Sequence, residues 1–205
     1  MLQKLWSAMT RQGTGRTVSV VVSLAIVAQG LTVWHYRAKR EADATTILTR
    51  QAESLADRSE TFGKADAAVI GDSVLGSAYV DCGRTFYATV PAIRSRDMAS
   101  SALAVLSHTS PTVAIIGIGT NDQRDLGSPA DLTTFTRWRG RVIWVETANS
   151  PETNAAMRKL AKLRGDMVYT FAGTTVDGIH PDKAGRAKLS ADLSQLCRQL
   201  VASRK

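Results

Sequence analysis

The sequence predicts an α/β sandwich built on a parallel sheet, and two patterns carry that expectation. From about residue 65, short β-branched apolar runs alternate with longer amphipathic stretches, as strands joined by helical crossovers do. The polar residues with chemical potential fall just after those runs, where the carboxyl ends of parallel strands gather functional groups. A third observation sets the amino-terminal part aside: an uncharged segment followed by a polar one without proline.

Taken in order, residues 1–16 form a basic amino-terminal segment carrying Lys4, Arg11 and Arg16, expected on the cytoplasmic side. Residues 17–34 read TVSVVVSLAIVAQGLTVW and hold no charge. As a helix they would span about 27 Å, close to a hydrocarbon core. Trp34 and Tyr36 suit an interfacial belt, and Arg37, Lys39 and Arg40 follow. The expectation is a transmembrane helix or signal anchor over 17–36, with the rest of the chain outside the cytoplasm. Ala28-Gln29-Gly30 leaves signal cleavage open, and the near-balanced flanking charge leaves orientation open. Residues 37–64, rich in Ala, Glu, Arg and Thr, read as a helical stalk or linker. The folded domain is placed at 65–205. In it, 67–71, 85–90, 112–119, 141–147 and 166–172 read as strands. Residues 74–80, 95–107, 129–138, 151–164 and 182–202 read as helices.

The formal net charge is +8, with +3 carried by residues 1–60 and +5 by the remainder. A basic excess spread so evenly forms no nucleic-acid arm. The two cysteines, Cys82 and Cys197, lie in no CxxC pair, so neither a zinc nor a redox motif is indicated. One disulfide is compatible with an oxidising compartment, and two free thiols remain the alternative. No metal or organic cofactor is implied, and the sequence specifies no protein partner.

Ser73 follows the first strand in VIGDSV, Asn121 follows the third in GTND, and Asp177 and His180 follow the fifth in DGIHP. A serine hydroxyl needs an adjacent base, and the base an orienting group. DGIHP supplies both within three residues, whereas the other histidines, His35 and His108, have no comparable neighbours. Ser73 could also serve only as a helix cap. The Asn121 amide and the Ser73 N–H are candidate donors to an oxyanion. Asp72 reads as structural.

These three motifs, in this order, resemble those of the SGNH hydrolases of the GDSL esterase and lipase superfamily, over about residues 66 to 202. The resemblance implies a flavodoxin-like three-layer sandwich with a five-stranded parallel sheet in the order 2-1-3-4-5. It implies Ser73 as nucleophile, His180 as base, Asp177 as its partner, and an oxyanion hole of Ser73, Asn121 and the residue at Ala92. The family has glycine at that last position, so a Cβ here carries a cost if φ is positive. In the implied topology Cys82 and Cys197 share the edge opposite the site, which makes their disulfide geometrically plausible.

The activity implied is hydrolysis of acyl-ester substrates of carbohydrate or lipid. Short loops point to small groups such as acetyl on envelope or exported carbohydrate. An O-acetyltransferase, a lysophospholipase or thioesterase, and a non-enzymatic glycan-binding or assembly subunit stay open beside it. Arg94, Arg96 and Arg124 follow strand ends and either line the mouth for an anionic substrate or form a solvated basic surface. Trp138 either faces the acyl pocket or belongs to the core.

Overall fold

The computed structural model describes residues 15–122 and 128–203. Nearly all of the basic segment at 1–16, and Arg124, lie outside them. The chain divides into two compact units, Met1–Ala44 and Thr45–Lys205.

The first unit consists, as far as it is described, of the amino-terminal part of helix α1, which runs Gly15–Phe62. Val27, Leu31, Val33, Trp34 and Tyr36 are exposed along it, and the Arg40 guanidinium lies 5.6 Å from the Tyr36 ring centroid. Among the described residues no helix is long and apolar enough to cross a membrane. The side chains of residues 17–26, the larger part of the uncharged stretch, lie outside that set.

The second unit is a three-layer sandwich. Its strands are β1 (Ala67–Gly71), β2 (Thr85–Thr89), β3 (Val113–Gly117), β4 (Arg141–Val145) and β5 (Met167–Tyr169). They form one parallel sheet in the order β2-β1-β3-β4-β5, as the sequence motifs implied. Alternate strand residues serve opposite faces. Ala68, Ile70, Ile116 and Trp144 face a core shared with α1, α3 (Ser95–Thr109) and α4 (Pro151–Arg164). Val69, Ile115, Ile143 and Val145 face a second core with α2 (Ser73–Gly76) and α5 (Lys183–Ala202). Because both faces are covered, the central strands read as unbroken apolar runs.

Three elements differ from expectation. The polar stretch read as a linker over 37–64 does not stay outside the domain: Ala52, Leu55, Ala56 and Ser59 are buried, the first three inside the first core. The helix expected at 129–138 is a run of 3-10 turns, Ser128–Arg137, in which Thr136 Oγ1 donates back to the Thr133 carbonyl at 2.6 Å. The fifth strand keeps only three residues. It ends where Thr170 turns its hydroxyl onto Glu146 Oε2, at 2.5 Å. Trp138 packs against the first core beside the amino end of β4, at the edge opposite Ser73, so it does not face an acyl pocket there.

Cys82 and Cys197 are disulfide-bonded, with their Cα atoms 5.9 Å apart. The bond ties the segment before β2 to the last part of α5. The same helix is fastened to that segment by Ser190 Oγ, which accepts the Tyr79 N–H at 2.9 Å, and by Ser194 Oγ, which accepts the Asp81 N–H at 2.8 Å.

Candidate active site

Strand order reverses between β1's two neighbours, so the exits of β1 and β3 diverge and leave a crevice at the carboxyl edge of the sheet. Ser73 stands there as the first residue of α2. The strands approach so closely that a Cβ on Gly71 would collide with the Gly117 carbonyl oxygen. Asp72 caps α2: its Oδ1 accepts the Val74 N–H at 3.0 Å, and its Oδ2 accepts the Thr120 N–H at 3.1 Å. The one carboxylate therefore fixes the β1 exit to the β3 exit. Asp72 is fully buried, and burial pushes its carboxyl above the usual range, although its N–H partners oppose the shift.

Ser73 Oγ lies 2.9 Å from His180 Nε2, and His180 Nδ1 lies 2.7 Å from Asp177 Oδ2. The other oxygen, Asp177 Oδ1, accepts the backbone N–H groups of Ile179 and His180 at 2.9 and 2.7 Å. Chiefly the His180 N–H, with the imidazole and the Ile179 N–H, holds the Asp177 carboxyl down at about 2. The turn is closed from outside as well. The Val176 N–H donates to the His180 carbonyl at 2.9 Å, Thr175 pairs with Pro181, and Asp182 caps α5 through the Gly185 N–H at 2.7 Å. With His180 and Asp177 side chains 41% and 49% exposed, the relay opens directly to solvent.

Ala92 is exposed and has φ of 64°. The reason is local. The Ile93 N–H donates to the Val90 carbonyl at 3.3 Å, closing a four-residue turn with Pro91 second and Ala92 third, and a type II turn needs positive φ at its third residue. An L-residue there carries a strain of about 1–2 kcal/mol. Asn121 Nδ2 donates to the Ile93 carbonyl at 3.2 Å, which joins the GTND segment to this turn. Val90 N–H to Gly71 carbonyl, 2.9 Å, joins the turn to the β1 exit. The segments bearing Ser73, Ala92 and Asn121 are thus linked pairwise, and the second amide hydrogen of Asn121 remains to donate.

Several positioning groups were given no role from the sequence, Asp122 and Gly119 of the GTND segment among them. Asp122 is buried; its Oδ1 accepts the Ser95 N–H at 2.9 Å, and its Oδ2 accepts from Thr153 Oγ1 at 3.3 Å. Ser150 Oγ and Asn149 Nδ2 donate to the carbonyls of Gly119 and Thr120 at 2.5 and 3.0 Å. Gly119 itself has φ of 118°, which a Cβ would resist. Of the arginines that follow strand ends, Arg94 is engaged by Asp97 at 2.8 Å and by Thr45 Oγ1 at 2.9 Å, and Arg96 lies 3.5 Å from Asp97. Among the described residues no three His, Cys, Asp or Glu side chains gather as metal ligands would.

The described chain superposes on solved structures of one architecture. A protein from Streptococcus pneumonia matches with TM-score 0.57 and 14% identity, over 78% of this chain and 99% of its own. A GDSL-like lipase from Bacteroides thetaiotaomicron matches with TM-score 0.51 and 14% identity, over 65% of this chain and 87% of its own. The fold is that of the SGNH hydrolases. A two-domain esterase active on acetylated mannans shares the SGNH fold, with TM-score 0.51 and 16% identity, over 74% of this chain and 54% of its own length. No family model and no curated protein matches the sequence.

Proposed function

We propose that this chain is a serine esterase that removes small acyl groups, acetyl foremost, from esters of envelope or exported carbohydrate. The observation that carries the proposal is the continuous relay Ser73 Oγ to His180 Nε2 and His180 Nδ1 to Asp177 Oδ2. In the first step Oγ bonds to the acyl carbon, His180 Nε2 takes the Ser73 proton, and the carbonyl π pair moves to oxygen. The Ser73 N–H, the Ala92 N–H and the Asn121 amide stabilise that oxyanion. Its collapse expels the alcohol, which takes the proton from His180. Water then attacks the acyl-enzyme, gives its proton to His180, and Ser73 regains it as the acid leaves. A sugar hydroxyl in place of that water would make the same site an O-acetyltransferase, and the solvent-open relay favours access by either acceptor.

The small-acyl carbohydrate reading is supported by the fold shared with an esterase active on acetylated mannans. Residues 17–36 are proposed to anchor the chain, with the folded domain outside the cytoplasm. Their uncharged sequence, the exposed apolar side chains of α1 and the disulfide, which suits an oxidising compartment, support this.

The test is fluorophosphonate labelling and p-nitrophenyl acetate turnover of the full-length protein in detergent. Ser73→Ala is expected to abolish labelling, and Ser73→Ala and His180→Ala each to lower turnover by about 10³-fold or more. Folded wild-type protein that neither labels nor turns over the ester would overturn the proposal.

A further inference from the structure

The part of α1 that joins the folded unit has three faces. Leu48, Ala52, Leu55, Ala56, Ser59 and Phe62 turn inward. Glu53, Asp57 and Glu60 occupy a second, exposed stripe. The third stripe, at the helical spacing of positions 47, 50/51, 54 and 58, holds Ile47, Arg50, Gln51, Ser54 and Arg58, and no acid. All the cationic side chains of residues 45–62 therefore lie on one face, although that segment holds more acids than bases. Among the described residues neither Arg50 nor Arg58 pairs with a carboxylate.

That face forms one wall of a groove of about 650 Å³, whose other wall is Thr89 and Val90 at the carboxyl end of the edge strand β2. Arg58 also lines the adjoining hollow, beside Thr85 and Tyr87, so the track follows β2 along its length. Its upper end lies at the carboxyl edge of the sheet, the edge that carries Ser73. Thr89 is the register partner of Gly71, two residues before Ser73, and Val90 leads into the turn that holds Ala92. The eight-residue spacing sets the two guanidiniums about 12 Å apart along the helix axis, with Gln51 and Ser54 offering neutral hydrogen-bonding groups between them.

We propose that this groove binds the backbone of an acidic polysaccharide and delivers its acyl esters to Ser73. The proposal rests on the esterase reading and names its substrate class. Arg50 and Arg58 pair with carboxylates of sugar units that are not adjacent, while the amide and hydroxyl between them bind sugar hydroxyls. The two guanidiniums select an anionic chain, and Ile47, Leu55 and Val90 along the same walls can carry the apolar faces of its sugar rings.

The test uses full-length protein in detergent with two polymers of similar length, chemically acetylated polygalacturonate and an acetylated neutral mannan. The readout is the ratio of their kcat/KM values. Arg50→Glu/Arg58→Glu is expected to lower the acidic-over-neutral ratio about tenfold or more, through KM for the acidic polymer. Arg50→Lys/Arg58→Lys should keep most of the preference. Arg139→Glu/Arg141→Glu, the same charge change at the amino end of β4, should leave it intact. Equal loss in both reversal variants, or no loss in either, would overturn the groove. If the reversed chain does not fold, competitive inhibition of the wild type by unacetylated polygalacturonate, weakening with salt, is the expected result, and its absence overturns the proposal. Loss of binding to vesicles of anionic phospholipid with the polymer preference unchanged would reassign the groove to lipid and overturn it too. Tight, Arg50-dependent binding of polygalacturonate by a protein that never labels with fluorophosphonate would leave the groove standing and sink the esterase reading instead.

Discussion

At the scale of single residues, the relay is set by a turn of four residues rather than by burial. Asp177 receives two backbone N–H bonds from the residues that follow it, so its carboxylate is oriented before it meets the imidazole. Its folded-state pKa, about 2, lies below the unfolded value of 3.8. The stability it contributes is therefore present above pH 3.8 and lost as pH falls through about 2. Thermal unfolding of wild type and Asp177→Asn should differ at pH 5, and the gap should close between about pH 4 and pH 2. Ala92 makes the opposite kind of statement. Its φ is positive, and a Cβ opposes that backbone. Ala92→Gly should stabilise the protein by about 1 kcal/mol in urea unfolding, the strain relieved exceeding the extra freedom of the unfolded chain. That Ser73, His180 and Asp177 would meet was legible because a hydroxyl without a base is inert, and one segment alone offers base and carboxylate together. The Asn121 tie to the Ile93 carbonyl was not legible, since nothing local relates a side chain to a backbone oxygen 28 positions away.

At the scale of elements, the sheet was readable from the chain, and so was the helix over 37–62, but not its burial against the sheet. Strands covered on both faces declare themselves as apolar runs. Of the buried residues of α1, Ala52, Ala56 and Ser59 are small groups whose burial leaves little mark on a hydropathy pattern. Its role is still measurable. Leu55→Ala should cost about 2–4 kcal/mol by chemical denaturation, the amount expected when a buried leucine is emptied; a leucine on a free stalk would cost almost nothing. Residues 128–137 kept their place between β3 and β4 but took a tighter helix, and their back-bonded threonine is the kind of residue that disturbs α-helical bonding.

For the whole molecule, the disulfide and the relay act on opposite ends of one helix. α5 begins just after His180 and ends near Cys197, which is held to Cys82 across a separation of 115 residues. Cys82→Ala/Cys197→Ala should lower stability by about 4 kcal/mol, and urea unfolding of the wild type with reductant should approach the same value.

The Arg94–Thr45 hydrogen bond also has a geographic meaning. Thr45 opens the folded unit, and it is fastened to the residue two beyond Ala92. The chain thus leaves the domain from the rim that carries the chemistry. Were residues 17–36 the anchor proposed above, residues 37–44 would be all the chain between that rim and the bilayer, and they could bridge at most about 29 Å. An esterase so anchored would have a working radius rather than a territory: it would edit esters that pass close to the lipid surface and leave those farther out untouched.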